Sequence, residues 1–265
     1  MKNYRITLAI ISSLIFFGCA TVPLTGRKQL SLVGDGQINQ SAAQSYTQLL
    51  SDPKTKVISG TADAQRVRRV GNQLAAAIEK YLSDNGYAGK YDFKWEFNLI
   101  QSKEINAWCM PGGKVAVYSG IMPLTKDDAG LATVMGHEIG HAIARHSAER
   151  ISQQFAAQTG GALVGVASSN QSSTTQAIIN QLYGTSSGLM LLHYSRAQES
   201  EADRLGLTFM AMAGYDPNNA VGFWERMAAQ SKNTTPEFLS THPADATRIA
   251  DIRTHIPEAM KYYRR

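Results

Sequence analysis

Apolar residues recur at spacings of three and four in ADAQRVRRVGNQLAAAIEKYLSDNG (63–86), where Val67, Val70, Leu74, Ile78 and Leu82 share one face. That period predicts an amphipathic helix, which Asn85-Gly86 stops. In YDFKWEFNLI (91–100) aromatic and polar residues alternate at first, as along a half-buried strand. A second strand is predicted over GKVAVYSG (113–120), after the turn signal Pro111-Gly112-Gly113. From there the pattern is helical, with segments near 127–157, 173–192, 195–213, 217–230 and 243–255 separated by Gly, Asn, Ser or Pro. The small, weakly apolar stretch GGALVGVASSNQSSTT (160–175) reads as a loop or helical hairpin, and its apolar core is too short to cross a membrane.

The first residues follow a different pattern. Lys2 and Arg5 precede an apolar run from Ile6 to Phe17, then Gly18 and Cys19. This is a secretory leader pattern, because the run falls short of the roughly 20 residues a spanning helix needs. A small residue followed by cysteine resembles the bacterial lipobox, so residues 1–18 are expected to be a lipoprotein signal peptide and Cys19 the lipidation site. Ala20 after the cysteine favours the outer membrane. Residues 19–34, with Pro, Gly and little periodicity, are expected to be a tether, and residues 35–265 the folded domain.

Composition narrows the classes. With 43% hydrophobic and 18% charged residues the chain is globular, and its length allows a sizeable core. The net charge of +5 falls to +3 without Lys2 and Arg5, too little to argue for nucleic acid, and no nucleic-acid motif is present. With Cys19 acylated, Cys109 has no intramolecular partner and no disulfide framework is available.

Chemistry concentrates in GLATVMGHEIGHAIARHSAER (130–150). On a helix, His137 and His141 lie about 40° apart around the axis and about 6 Å along it, so both rings can face one ion. Glu138, rotated about 100° from His137, can reach a water beside that ion. Gly140 leaves room against the helix backbone. This is the H-E-x-x-H spacing of zinc proteases. Two histidines leave a catalytic zinc one protein ligand short. Glu199, in YSRAQESEADRLGL, is the expected third ligand, and Asp203 one turn on is placed to accept the other ring N–H of His137. Glu201, rotated about 200° from Glu199, is expected at the surface or in a secondary salt bridge. On the same helical reasoning His146 is expected to be a surface residue at the helix end. His193 and His255 lack a partner pattern, and His242 precedes a proline in an apparent loop.

Taken together, VPLTGRKQLSLV, NAWCMPGGKVAVYSGIM, GHEIGHAIARH, YSRAQESEAD and STHP resemble peptidase family M48, zinc endopeptidases that include prenyl-protein processing enzymes and periplasmic quality-control proteases. The resemblance implies an α+β, zincin-like (gluzincin) fold, mostly helical, with a small sheet whose edge strand lines the active-site cleft. It implies one Zn2+ held by His137, His141 and Glu199, with Glu138 as catalytic base. It also implies that His242 either occupies the zinc's open position or assists the transition state. Arg196 could neutralise a carboxylate or the oxyanion, or make a structural salt bridge. Asn106-Ala107-Trp108 resembles the edge segment of thermolysin-like enzymes, where an extended substrate pairs with the strand, making Asn106 and Ala107 substrate-binding residues.

These features predict a metalloendopeptidase acting on unfolded, damaged or misassembled proteins of the bacterial envelope, held to the membrane by its lipid and working beside an envelope assembly machinery. A chaperone or assembly factor with a latent or structural zinc site is the other reading. Glu138 separates the two, because a structural site needs no uncoordinated carboxylate beside its metal.

Overall fold

The computed structural model describes residues 19–158, 177–178, 194–230 and 236–264. The leader at 1–18, the small-residue stretch at 160–175, His193 and nearly all of the helix expected at 173–192 lie outside the described residues.

Residues 19–34, expected to form a tether, contain a hairpin in which β1 (Cys19–Thr21) runs antiparallel to β2 (Lys28–Leu30), with Cys19 opposite Leu30. Strands of three residues are too short for a period to show in the sequence, and Val22 beside them is buried in the main core. The helix α1 (Asp35–Ser51) is not evident from periodicity, because its inward residues Ile38, Ser41, Ala42 and Tyr46 include small and polar ones. After β3 (Val57–Ile58) comes the amphipathic helix α2 (Ala62–Asp84), capped by Thr61, whose hydroxyl accepts from the Ala64 N–H.

Three further strands, β4 (Glu96–Ile100), β5 (Ala107–Met110) and β6 (Lys114–Tyr118), join β3 in one sheet of order β3-β4-β6-β5. β4 and β6 are parallel and the other pairs antiparallel, and by the strand order β5 ends the sheet among the described residues. Of the strand expected over 91–100, only 96–100 enters the ladder. Tyr91, Phe93, Trp95 and Phe97 instead stack in series, with centroids 4.5 to 6.0 Å apart.

After the short α3 (Met122–Thr125), the segment expected as one helix at 127–157 is two, α4 (Asp128–Ile143) and α5 (His146–Gln158). Arg145 sits at φ 55°, in the left-handed region that stops a helix. Its guanidinium is held by Asp35 at 2.5 Å and packs 4.2 Å over the Tyr91 ring, contacts that offset the roughly 1–2 kcal/mol such a residue costs. The chain continues through α6 (Arg196–Met212), opened by a Ser195–Gln198 capping box, then α7 (Asn219–Gln230), α8 (Glu237–Thr241) and α9 (Ala246–Ala259).

The apolar core joins α2, the sheet, α4, α6 and α7. α4 runs through its centre, with nearly every residue buried. Its approach to α6 depends on absent side chains: a Cβ at Gly140 would lie 2.8 Å from the Ala202 carbonyl oxygen, and one at Gly206 would lie 2.8 Å from the His137 nitrogen. That closeness brings Glu199 to the histidines. No helix among the described residues is long and apolar enough to cross a membrane.

Candidate metal centre

Four side chains from three parts of the chain converge: His137 and His141 from α4, Glu199 from the first turn of α6, and His242 at the end of α8. All four are buried. The Nε2 atoms of His137 and His141 lie 3.2 Å apart. Glu199 Oε1 is 3.3 Å from His141 Nε2 and 2.8 Å from His242 Nδ1, while Oε2 is 3.4 Å from His137 Nε2. His242 Nδ1 is also 3.2 Å from His137 Nε2.

The surroundings determine which ring nitrogens carry protons. Asp203 Oδ1 lies 2.8 Å from His137 Nδ1, and as an ionised acceptor it places the proton there and leaves Nε2 with its lone pair. His141 Nδ1 lies 2.8 Å from Nδ1 of His146, whose Nε2 lies 2.9 Å from Glu201 Oε2. His146 therefore donates from Nε2 to Glu201 and accepts from His141, which again leaves a lone pair on His141 Nε2. Two lone pairs facing at 3.2 Å cannot hydrogen-bond to each other. They suit a cation, since nitrogens about 2.0–2.1 Å from one tetrahedral ion sit roughly 3.3 Å apart. Among the described residues, Glu138 Oε1 and Glu199 Oε2 are buried with no hydrogen-bond partner, which is consistent with a cation and its water lying between these groups. The donor set fits a metal.

Glu138 lies beside this cluster on α4, with Oε1 3.6 Å from His242 Nε2. Burial pushes its carboxyl up to about 7; the charges of His242 and Arg248 oppose that, and those of Glu199 and Asp203 add to it. Glu199 is held far below the usual carboxylate range: burial works against this, but the charge of His242 and the three imidazoles that surround the carboxylate outweigh it. Burial likewise drives His141 well below the ordinary histidine value. His137 is raised, because Asp203 and Glu199 more than offset burial and the nearby Arg248.

One expectation is corrected here and another is narrowed to one of its alternatives. His146, placed at the surface by continuing one helix, is fully buried against His141. A continuous helix would turn it about 140° away, but the break at Arg145 abandons that rotation. Glu201 is not at the surface either: it is buried, binds His146, and accepts from Thr25 and Arg27 at 2.5 and 2.7 Å. The salt-bridge alternative is the one that forms.

Arg196 is 87% exposed and lies 3.7 Å from Asp245, making the structural contact. Asn106 and Ala107 are buried, the Ala107 side chain within the main core; the Asn106 carbonyl accepts from the Tyr118 N–H at 3.0 Å and its Oδ1 accepts from the Ala107 N–H at 2.8 Å. Cys109 on β5 is close enough to Glu138 for that charge to add to burial in raising its thiol pKa. His255 contacts Asp251 at 3.6 Å, away from the cluster.

Arg248, on α9, gave no sign in the sequence. It grips Asp203 with Nε and Nη2, both at 2.8 Å, and brings Nη1 to 3.1 Å from Glu199 Oε2. Its Nη2 is nearly equidistant from both ring nitrogens of His137, at 3.2 and 3.3 Å, which places the cation against the ring face. Below it, the Trp224 ring lies 3.5 Å from the guanidinium carbon. Tyr194 stacks on His141 at 4.1 Å. Arg248 belongs to no recognisable spacing, and Tyr194, although it opens the YSRAQESEAD stretch, carries no signal of its own that would place its ring on His141.

A buried cluster of metal donors beside an uncoordinated carboxylate defines the hydrolytic metalloprotein class. Residues 62–256 match the peptidase family M48 profile, and the chain belongs to that family of metallopeptidases. It is 34% identical over 242 residues to the mitochondrial metalloendopeptidase OMA1 of Schizosaccharomyces pombe, covering 90% of this chain and 67% of that one. The metalloprotease YcaL of Escherichia coli is 28% identical over 97% of this chain and 98% of its own. The β-barrel assembly-enhancing protease of the same organism is 31% identical over 63% of this chain, but only 35% of its own length is covered.

Proposed function

We propose that the chain is a zinc endopeptidase that cuts unfolded, damaged or misassembled envelope proteins, anchored by an acylated Cys19 at the outer membrane and facing the periplasm. The observation that carries the reading is the convergence of His137, His141 and Glu199 on one point with Glu138 buried alongside. These three residues would hold the ion. When bound, zinc supplies a Lewis acid and lowers the pKa of a water toward about 7. Glu138 takes the proton of the attacking water and returns it to the leaving amine. Asp203 holds the Nδ1 proton of His137, and Arg248 holds Asp203. Substrate pairs in extended form with the β5 backbone at Ala107, next to Asn106. The leader pattern and the name of one relative, a β-barrel assembly-enhancing protease, support the envelope setting and a partner in its assembly machinery.

The test compares wild type with Glu138→Gln on an unfolded protein substrate, with zinc content measured in both. Loss of general-base catalysis lowers turnover by roughly 10²- to 10⁴-fold with zinc retained. Equal cleavage by both proteins overturns the reading.

The position of His242 favours a second state of the same site. With His242 among the donors the cluster offers four protein ligands, the closed form typical of structural zinc. A latent protease that also acts as a chaperone or assembly factor fits that arrangement.

A further inference from the structure

We propose that Arg27 is a positioning residue for the metal centre, acting through Glu201 and His146 on His141, so that the hairpin beginning at Cys19 belongs to the support of the site. The proposal rests on reading His137, His141 and Glu199 as metal ligands.

A continuous hydrogen-bonded path carries it. Arg27 Nε–H donates to Glu201 Oε2 at 2.7 Å, and the same oxygen accepts from His146 Nε2 at 2.9 Å. His146 Nδ1 then accepts from His141 Nδ1 at 2.8 Å. Thr25, in the same hairpin turn, donates to the other Glu201 oxygen at 2.5 Å. The far side of the Arg27 guanidinium is fixed by both oxygens of Glu149, at 2.8 and 2.9 Å, and by Gln29 at 3.0 Å. Glu149 in turn accepts from Gln198, the N3 residue of the capping box that opens α6 beside Glu199. One arginine thus ties the hairpin to both elements that flank the cluster.

The path matters because an imidazole can carry its proton on either nitrogen, and only one choice suits a ligand. His141 binds an ion through Nε2 only while its proton stays on Nδ1, and the acceptor holding it there is His146. His146 can accept at Nδ1 only while its own proton is held on Nε2 by Glu201. Without Arg27, the buried Glu201 carboxylate is held by Thr25 and His146 alone, and it is free to turn toward water. That turn releases His146 and removes the acceptor that keeps the His141 proton on Nδ1.

The experiment measures Zn2+ affinity by chelator competition on the purified full-length protein. Arg27→Ala is expected to weaken zinc binding by about 10- to 100-fold, the range for residues behind a metal ligand. Arg27→Lys, with a single ammonium for the fork, recovers part of that loss. Arg204→Ala is the control, since Arg204 grips Glu258 with the same two-bond fork at 2.8 Å on a path that does not reach the histidines. It is expected to leave zinc affinity unchanged. In a Glu201→Gln background, Arg27→Ala should add little, because both act along one path.

Wild-type affinity in Arg27→Ala, an equal loss in Arg204→Ala, or additive losses from Arg27→Ala and Glu201→Gln would overturn the proposal. Should Arg27→Ala fail to fold, the isosteric Glu201→Gln carries the test, and undiminished affinity there overturns it as well. If wild type itself binds no zinc, the metal reading fails, an outcome distinct from zinc-loaded wild type with an unaffected Arg27→Ala.

Discussion

Gly140 faces the backbone of Ala202 so closely that a methyl group on it would meet the Ala202 carbonyl oxygen at 2.8 Å and Cα at 3.2 Å. Both partners are backbone, so no rotamer change can make room. Gly140→Ala must therefore separate α4 from α6, at about 1–3 kcal/mol for an overpacked core. It also draws Glu199, on the same stretch of α6, away from His141. We expect a lower melting temperature together with weaker zinc binding, whereas Gly34→Ala, where a Cβ meets nothing within 4 Å, changes neither. An unchanged zinc affinity in Gly140→Ala would show that the helix contact does not set the site.

His242→Ala removes one of the four donors and leaves His137, His141 and Glu199 in place. Zinc content is expected to stay near one per chain while hydrolysis of an unfolded protein rises several-fold, because a coordination position becomes free for water. Lower hydrolysis with zinc retained would instead assign His242 to the transition state.

Arg248→Ala leaves Asp203 buried without its cation, and removing one partner of a buried pair costs about 3–5 kcal/mol. Urea unfolding of the variant should show a loss of that size. A loss below about 1 kcal/mol would mean that Asp203 finds another partner or takes a proton.

Chelation tests the metal from the side of stability. The donors are brought together only in the folded chain, so the free energy of metal binding adds to that of folding and the chelated protein should melt below the zinc-loaded one. Zinc at 100 times its Kd restores about 2.7 kcal/mol. Identical melting curves before and after chelation would remove zinc from the account.

What the sequence revealed depended on how local the cause was. Within α2, Val67 to Leu82 follow the helical period, and the element forms within a few residues of the expected bounds. His137, His141 and Glu138 could be read because their spacing is itself the geometry, and Glu199 and Asp203 because they share a second helix face. His146 was misplaced for the converse reason: one residue, Arg145, takes a left-handed conformation stabilised by Asp35 and Tyr91, both distant in sequence. Arg248 and Arg27 escaped notice because they act across 45 and 174 positions. A basic residue on a polar helix face or in a short hairpin looks the same whether it meets water or a buried carboxylate.

β5 ends its sheet among the described residues, and the side chain of Ala107 points into the core. On the proposed pairing, recognition runs through the main chain of the substrate and reads its extended shape, with little regard to which amino acids are present. Natively folded proteins keep nearly all such backbone engaged in their own structure. The rate at which any protein is cut is then governed by how often it opens, so two targets of equal composition but unequal stability meet different fates. Selectivity of this kind resides in the folding equilibrium of the target, and the protease need only be present to sample it.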